Sequence, residues 1–390
     1  MSQTCLFIVN GLGLGNSTRC FAIMEHLAQE GFRIHVLTSG NGLNFFQDKG
    51  CIESLASMPS FYYSGKNGAV SGWSTFKSLK SLVSIARAKR KQLSILLDQV
   101  HPDIAIVDSE YALSPLRPRG IPIVAINTSE MVVTEYLKRR RLAPRSVRSH
   151  FWLVEFSDYL FHKRSCDVVL SPFPLRTATR NKKFRRIGLI ARRAVLEHAR
   201  KVSDSTFPSP RTIKTVVFML SGSVHASKIQ FDKELPFQVE VVGLTGESRG
   251  RVVYHGRQMN NVPLLSRADA LVINGGYSAV SEAFVLGKPV FVVPVAGHAE
   301  QFVNASMVQD LGLGFIAQEN TVVDQLLGMY ERDRWEGRKA LPPAFDINGA
   351  QEAAMTIACY LKERTNSRCD ARETLASARL EESAAEQKSL

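Results

Sequence analysis

Residues 270–293 read ALVINGGYSAVSEAFVLGKPVFVV, and this stretch decides the fold of the chain. The apolar run Ala270–Ile273 ends at an asparagine and two glycines, the helical segment Ala279–Leu286 follows, and a second apolar run covers Pro289–Val293. Neither run alternates with polar residues, which is typical of parallel strands that are buried on both faces. The stretch therefore predicts a strand–helix–strand unit of a parallel sheet.

The same alternation extends in both directions along the chain and is interrupted at residues 201–212, KVSDSTFPSPRT, which have the composition of a linker. The predicted strands are Cys5–Val9, Arg33–Leu37, Ile104–Val107, Ile121–Ile126, Asp167–Leu170, Val216–Leu220, Val239–Val242, Arg251–Tyr254, Ala270–Ile273 and Pro289–Val293. The predicted helices are Ser17–Glu30, Ser71–Val100, Val147–Arg164, Pro263–Arg267, Ala279–Leu286, Gln301–Leu311, Thr321–Glu331 and Gln351–Arg364.

This pattern predicts an α/β protein with two Rossmann-like, doubly wound domains that face each other across a cleft. We expect a first domain over residues 1–200, the linker over 201–212 and a second domain over 213–350. A helix over 351–364 should pack back across the domains, and the polar tail 365–390 has a composition typical of disorder. Ligands of such sheets bind beyond the carboxyl ends of the strands, and a cleft between two domains suits an enzyme with two substrates.

Composition excludes several classes of protein. The chain has 390 residues, of which 45% are apolar and 22% charged, so it can bury a sizeable core. No apolar run approaches the length of a membrane-spanning helix, and the N-terminus lacks the basic start of a signal peptide. The six cysteines are scattered without a C-x-x-C pair, which predicts a reduced, cytoplasmic protein with neither disulfides nor a zinc site.

The net charge of +13 is confined to the first half of the chain. Residues 1–210 hold 30 Lys and Arg against 15 Asp and Glu, whereas residues 211–390 hold 19 against 21. Between residues 138 and 193 there are 16 basic residues and three acidic ones. Such a concentrated field favours an anionic partner, namely a nucleic acid, a phospholipid surface or a phosphorylated substrate, although it also fits a basic protein that simply stays soluble.

A glycine-rich turn, Asn10-Gly11-Leu12-Gly13-Leu14-Gly15-Asn16-Ser17, separates the first strand from the first helix. Its glycines and the helix N-terminus suit the close approach of an anion or oxyanion. A dinucleotide site would require G-x-G-x-x-G and an acid at the end of the second strand, but the chain has G-x-G-x-G-N and ends that strand in Thr38-Ser39-Gly40. The motif therefore argues against a dehydrogenase, and a tight turn without further function remains the alternative.

The second motif comprises Asn274-Gly275-Gly276-Tyr277-Ser278, Glu282, Gly287-Lys288-Pro289, Pro294, Glu300-Gln301 and Asn304-Ala305. A buried strand ends in two glycines, and the free N–H groups of the following helix suit a diphosphate. Glu282 lies one helical turn beyond Ser278, where its carboxylate can accept both hydroxyls of a ribose. An ordinary strand–helix–strand unit would explain the glycines and prolines, but not the polar residues that gather at one rim.

These residues resemble the donor-binding signature of the GT-B glycosyltransferases over Asn274 to Gly314. The run Gly11 to Arg19 resembles the acceptor-domain opening of the same enzymes, and the closest branch contains the lipid-linked peptidoglycan GlcNAc transferase and its bacterial and archaeal relatives. The resemblance covers residues 4–360 and implies an inverting transferase of hexosyl or N-acetylhexosaminyl groups that uses a nucleotide sugar, with UDP as the expected nucleotide. It also implies no cofactor and no metal, in keeping with the lack of an Asp-x-Asp pair.

The resemblance also implies roles for individual residues. Gly275, Gly276, Tyr277 and Ser278 would hold the diphosphate, and Glu282 would bind the ribose. Glu300 and Gln301 would bind the donor sugar, and His298 is either a further donor contact or a loop histidine. The remaining donor-site residues are Ser221, Gly222 and Ser223, as a second phosphate loop, and Arg257 and Gln258, which would flank the base.

One position departs from the pattern, because the resembled enzymes carry a histidine base where this chain has Asn16. An amide can orient an acceptor hydroxyl but cannot take its proton. We therefore predict Glu110 and Asp108, which follow a predicted strand, as candidate bases beside Asn16, although a solvated loop carboxylate or a helix cap would explain either acid equally well. The acceptor-side loop residues are Gly13, Gly15, Asn16, Ser17 and Glu130, the last a third candidate base.

The sequence thus predicts transfer of a sugar to a hydroxyl of an anionic acceptor, for which a lipid-linked or glycan acceptor is favoured over a nucleic-acid base or a soluble phosphorylated metabolite. Lys138–Arg148 together with Leu142, Phe151, Trp152 and Leu153 would dock the first domain on the inner face of a membrane. The alternatives are a nucleotide-sugar epimerase or hydrolase on the same fold, and a catalytically inactive binding protein.

Overall fold

The structure is a computed structural model that describes residues 2–60, 72–174, 179, 181–203, 213–220, 229–258, 260–331 and 346–366. Its strands form two parallel sheets, one on each side of the predicted linker. No helix in these ranges is long and apolar enough to span a membrane.

The first sheet has seven strands in the order β3-β2-β1-β4-β5-β6-β7. The strands are β1 (Thr4–Val9), β2 (Arg33–Thr38), β3 (Ser54–Ser57), β4 (Ile104–Asp108), β5 (Ile123–Ile126), β6 (Val168–Pro172) and β7 (Phe184–Ile187). Its helices are α1 (Leu14–Gln29), α2 (Asn41–Phe46), α3 (Gly72–Val100), α4 (Ser129–Arg139), α5 (Arg145–His150), α6 (Phe156–Ser165) and α7 (Arg193–Ser203), with a π-helical segment at Phe151–Glu155 and a 3₁₀ turn at Arg117–Arg119. Val9 lies beside both Thr38 and Asp108, so the loops after β1, β2 and β4 leave the sheet at one edge.

The second sheet has six strands in the order β10-β9-β8-β11-β12-β13. They are β8 (Thr215–Met219), β9 (Gln238–Val242), β10 (Val252–Gly256), β11 (Ala270–Ile273), β12 (Val290–Val292) and β13 (Gly314–Ile316). The helices of this half are α8 (Val262–Arg267), α9 (Tyr277–Val285), α10 (Ala299–Asp310) and α11 (Val322–Glu331), and helix α12 follows at residues 349–366. Two Rossmann-like parallel α/β sheets confirm the predicted fold class.

All ten predicted strands are present within a few residues of their predicted bounds, and β3, β7 and β13 were not predicted. These three strands lie at sheet edges and have the sequences SLAS, FRRI and GFI. An edge strand is shorter and less buried than a central one, so its sequence lacks the continuous apolar run that marks the others. Helices α2, α4 and α7 were also missed.

The two domains share a buried apolar cluster. Met131 and Val132 of α4 pack in it together with Val303 and Met307 of α10. Helix α1 also contacts α9 across the domains. The chain therefore closes the base of the cleft with side chains from both domains.

Helix α12 follows the second domain in the chain but packs on the first. Ala353 and Ile357 are fully buried in the cluster that covers one face of the first sheet. The carboxylate of Glu352 accepts a hydrogen bond from the backbone N–H of Gly188 at 2.7 Å. The chain thus crosses between the domains a second time.

We predict that two glycines of the first turn differ in their tolerance of a side chain. A Cβ on Gly11 would lie 1.7 Å from the carbonyl oxygen of Ser39, whereas a Cβ on Gly13 would meet nothing within 4 Å. Gly11→Ala should therefore lower the free energy of unfolding by about 3 kcal/mol. Gly13→Ala should change it by no more than about 0.5 kcal/mol. Urea denaturation followed by far-ultraviolet circular dichroism measures both, and equal stability of the two variants would contradict the prediction.

Candidate functional site

The glycine-rich turn and the donor motif meet across the cleft. Helix α9 begins at Tyr277, and Gly276 precedes it in an extended conformation with φ −63° and ψ 142°. The Ser278 hydroxyl donates a hydrogen bond to the carbonyl oxygen of Gly15 at 3.0 Å. A Cβ on Gly15 would lie 3.2 Å from that hydroxyl, so a larger residue there would displace Ser278 Oγ by a few tenths of an ångström. The two motifs that the sequence singled out therefore contact each other at one opening of the cleft, which we call the mouth.

Residues of α10 hold the turn that precedes α9. Gly275 has φ +82°, a conformation that favours glycine, and a Cβ there would lie 2.7 Å from Val292 Cγ1. The side-chain amide of Asn304 donates to the carbonyl oxygen of Gly275 at 2.8 Å. The Gln301 side-chain carbonyl accepts a hydrogen bond from the backbone N–H of Val295 at 2.8 Å. The polar residues of the motif thus tie the loops after β11 and β12 together.

Glu282, the predicted ribose ligand, is 5% exposed and is bound by Arg192. The guanidinium donates to the two carboxylate oxygens at 2.6 and 2.7 Å and to the side-chain oxygen of Asn261 at 2.6 Å. Arg192 lies just before α7, in a segment to which the sequence assigned no role. A carboxylate offers about four lone-pair positions, so this ion pair leaves part of its hydrogen-bonding capacity unused.

Asp108, a candidate base, is fully buried in an ion pair with Arg19 of α1. The two guanidinium nitrogens donate to the two carboxylate oxygens, each at 2.6 Å. Burial opposes the charge of Arg19, but the charge and hydrogen bonds of Asp108 raise the pKa of that guanidinium overall. Arg19 lies one turn beyond Asn16, so the pair fixes the start of α1 to the end of β4.

Glu110, the other predicted base of this loop, binds a different cation. Lys89 of α3 donates to its two oxygens at 2.7 and 2.8 Å, and both side chains are 2% exposed. Ser109, between the two acids, has φ +54°, which is uncommon for a residue with a side chain. Burial raises the pKa of Glu110, although the charge of Lys89 opposes this.

Glu130 and Asn16 also have local partners. Glu130 lies in the first turn of α4 and pairs with Arg186 of β7 at 2.7 Å. The Asn16 side-chain amide donates to the carbonyl oxygen of Asn10 at 3.3 Å. Each predicted candidate base that is a carboxylate therefore lies in a buried ion pair, and the choice among these residues stays a prediction.

A second group of acids lies where the π-helical segment, α6 and α10 meet. Burial raises the pKa of Glu300, and the nearby Asp158 and Asp108 add to this while Arg19 and Thr128 oppose it. Burial also raises the pKa of Glu155 to about 8, with Glu300 as the next cause. Carboxyl groups with shifted pKa values in a cleft are typical of functional sites. Sequence reasoning predicted Glu300 here but not Glu155.

Asp158 connects this group to the first domain. Its carboxylate accepts hydrogen bonds from Tyr111 at 2.7 Å and Asn127 at 2.8 Å, and it pairs with His162 at 3.1 Å. Burial opposes the charge of Asp158, but these hydrogen bonds and the His162 charge lower its pKa overall. The residue lies in α6, where the sequence showed only a helix in a basic region.

His298 precedes α10, and its ring lies against that of His150 with 4.8 Å between the centroids. His150 Nδ1 is 3.6 Å from a carboxylate oxygen of Glu155. His150 and Glu155 are five residues apart, a spacing that does not share a face of an α-helix. The π-helical segment brings them together, and the sequence pattern gave no signal for it.

The remaining predicted residues do not join this centre. Arg257 is exposed beyond β10, an edge strand, and the Gln258 side chain donates to the carbonyl oxygen of His255 at 2.7 Å. Gly13 and Ser17 lie at the start of α1. Ser221, Gly222 and Ser223 lie outside the described residues.

Comparison with known proteins gives relatives along most of the chain. Residues 3–147 and 216–330 match the model of glycosyl transferase family 1. Two proteins of Methanosarcina acetivorans that are named uncharacterized glycosyltransferases are similar. One is 22% identical over 79% of this chain and 82% of its own, and the other is 25% identical over 83% and 87%.

Solved structures share the fold. Spinosyn forosaminyltransferase SpnP superposes with a TM-score of 0.59 and 12% identity over 93% of this chain and 100% of its own. MurG of Acinetobacter baumannii superposes with a TM-score of 0.56 and 16% identity over 92% and 99%. The family match favours a transferase over an epimerase, a hydrolase or an inactive binding protein. The chain belongs to glycosyl transferase family 1 and is a glycosyltransferase of the GT-B fold.

Proposed function

We propose that the enzyme transfers a sugar from a nucleoside-diphosphate sugar to a hydroxyl of an anionic acceptor, with inversion at the anomeric carbon. UDP is the expected nucleotide. The observation that carries this proposal is the mouth formed by Gly276 and Ser278 against Gly15. Free N–H groups at the start of α9 suit the diphosphate there and would stabilise its charge as it leaves. The proposed transfer uses the nucleotide sugar as a substrate and needs neither a cofactor nor a metal ion.

The donor lies along α9 in this proposal. Glu282 is one turn beyond Ser278, and the ion pair with Arg192 holds its carboxylate in place for the ribose hydroxyls. Glu300 and Gln301 open α10 at the next rim, where acid and amide groups suit sugar hydroxyls. The backbone of Arg257 and Gln258 would flank the base, and residues 221–223 would add a second phosphate loop.

We predict that a UDP sugar raises the melting temperature and that Glu282→Gln reduces this shift. The amide keeps the shape of the side chain but loses the charge that strengthens hydrogen bonds to ribose. The dissociation constant should rise about tenfold, because a hydrogen bond to a charged group contributes about 1.5 kcal/mol. A thermal-shift titration with UDP, GDP, ADP and dTDP sugars measures both the shift and the dissociation constant.

Glu247→Gln is the matched control, because Glu247 is exposed and pairs only at the surface with Arg249. Its donor affinity should equal that of the wild type. An unchanged affinity in Glu282→Gln, or no shift with any nucleotide sugar, would contradict the donor site.

For acceptor activation we propose Glu110 as the base, with Asp108 and Arg19 as the pair that positions the loop. A base works best when its pKa lies near the working pH. Burial raises the pKa of Glu110 towards that range. Glu110 would take the proton of the acceptor hydroxyl while the hydroxyl oxygen bonds to the anomeric carbon. The bond from that carbon to the phosphate oxygen would break, and the nucleoside diphosphate would leave with its electron pair. Asn16 would orient the hydroxyl.

Glu110→Gln should therefore lower kcat by about 10²–10⁴-fold, and the donor should still raise the melting temperature by the same amount, although the variant itself melts lower because Lys89 loses its charged partner. In the wild type, kcat/KM should rise with pH through a pKa above about 4.3, the ordinary value for glutamate, because only the deprotonated carboxylate accepts a proton. This acidic limb should be absent from the variant. A variant with wild-type kcat, or one with the same acidic limb, would exclude Glu110 as the base.

A basic and apolar surface of the first domain suggests where the acceptor docks. It consists of the exposed residues Leu137, Lys138, Arg140, Arg141, Leu142, Arg145, Arg148, Trp152, Leu153 and Val154. Leu142 is 80% exposed and Leu153 76%. Phe151 does not belong to it, because that ring is buried and stacks on Tyr136 at 3.7 Å. Apolar side chains among like-charged cations suit an anionic lipid surface, so we propose a lipid-linked acceptor and peripheral membrane contact.

The vesicle affinity of the protein tests this surface. The wild type should bind phosphatidylglycerol vesicles and not phosphatidylcholine vesicles. Each cation near the surface contributes about 1 kcal/mol to the free energy of vesicle binding. The double variant Arg140→Gln with Arg141→Gln should therefore bind more than tenfold more weakly. Leu142→Ser with Leu153→Ser should also weaken it, whereas Met355→Ser, at a residue 58% exposed on α12, should not. Equal binding of all variants, or tighter and strongly salt-dependent binding to nucleic acid, would contradict the proposal.

A further inference from the structure

We propose that His150, Glu155 and His298 bind a transition-metal ion, for which Zn²⁺ is the natural probe, and that this ion links the two domains. One nitrogen from each ring and one carboxylate oxygen all lie within 4.8 Å of one another. His150 and Glu155 belong to the first domain and His298 to the second. The proposal goes beyond the transfer reaction, which does not require this ion.

The spacing of the three groups is close to that of a zinc site. Zinc binds histidine nitrogen at about 2.0–2.1 Å and carboxylate oxygen at about 2.0–2.2 Å, which places two ligand atoms of a tetrahedral ion ~3.4 Å apart. His150 Nδ1 and the Glu155 oxygen are 3.6 Å apart, and an ion bound to this nitrogen would replace the hydrogen bond that Nδ1 accepts from the backbone N–H of Ala299 at 3.4 Å. A separation of 4.8 Å must shorten by about 1.4 Å, and rotation of a ring about its broad terminal torsion can contribute to that movement.

The π-helical segment is a second observation that points to a ligand. It covers Phe151–Glu155, directly after His150. Such turns are rare and are found frequently at functional sites. Here the turn brings two ligand side chains at spacing i, i+5 towards one point, and its exposed residues Trp152, Leu153 and Val154 lie away from it.

The donor set selects the kind of ion. Two imidazoles and one carboxylate form a ligand set of zinc enzymes, whereas Mg²⁺ and Ca²⁺ prefer oxygen ligands alone. His298 directly precedes α10, which opens with Glu300 and Gln301. A bound ion would thus fix the rim at which we place the donor sugar against α5 of the first domain.

Isothermal titration of the full chain with ZnCl₂ tests the proposal, with Co²⁺ as a spectroscopic substitute and Mg²⁺ as the hard-ion comparison. We expect one Zn²⁺ per chain, a higher melting temperature with zinc, and the visible absorption of tetrahedral Co²⁺. His150→Ala in one domain and His298→Ala in the other should each lower the affinity at least tenfold. His198→Ala, on helix α7, is the control and should leave it unchanged.

Circular dichroism and melting of the metal-free variants verify folding. If an alanine variant does not fold, His150→Gln, His298→Gln or Glu155→Gln replaces it. Zinc binding that survives substitution of both histidines, binding weaker than millimolar, or equal binding of Mg²⁺ would overturn the proposal. The titration needs neither donor nor acceptor, so its failure is distinct from failure of the proposed transferase reaction.

Discussion

Packing of α10 against α4 and α5 sets the arrangement of the two domains, and the cleft residues lie beside this contact. Met131 and Val132 from one domain and Val303 and Met307 from the other are buried in one cluster. Each such side chain contributes about 1.5–3 kcal/mol when it leaves water. The ion pair of Arg139 with Asp310 also crosses the interface, but Asp310 is 59% exposed and such pairs contribute only about 0–1 kcal/mol. Apolar packing therefore holds the two domains together at the cleft, and this contact does not depend on the polar groups of the cleft.

Those polar groups divide into two electrostatic classes. Asp108, Glu110, Glu130 and Glu282 each lie in an ion pair with Arg or Lys, in which both partners are mostly buried. Removing one partner of such a pair costs about 3–5 kcal/mol, so these four pairs also fix the loops that carry them. Glu155 and Glu300 differ, because burial raises the pKa of each, with a further rise from Glu300 at Glu155 and from Asp158 and Asp108 at Glu300. The cleft thus combines four buried carboxylate–cation pairs with a central group of acids, in which Asp158 pairs with His162 and the charge of Arg19 acts on Glu300.

The sequence predicts the central strands of the fold well, but it does not predict which cations pair with the buried acids. Apolar runs, interrupted by one polar residue in β2 and in β9, identified every central strand, since burial on both faces leaves a direct compositional trace. The two motifs at Gly15 and Gly276 were placed at one cleft because ligands bind beyond the carboxyl ends of parallel strands and two such domains were expected to face each other. The cations were not found, since Lys89 is 21 residues from Glu110, Arg186 is 56 from Glu130 and Arg192 is 90 from Glu282. No local pattern relates such pairs, and the π-helical segment departs from the period on which helix recognition depends.

That segment connects two parts of the proposed reaction. Its inward side places Glu155 beside His298, which directly precedes the α10 residues where we place the donor sugar. Its outward side exposes Trp152, Leu153 and Val154 within the basic and apolar surface. The stacked rings of Tyr136 and Phe151 join α4 to the same turn, so the segment cannot move without disturbing the interface between the domains. In the proposed reaction, an acceptor that docks on the outer surface would contact Trp152, Leu153 and Val154, which share one π-helical segment with Glu155.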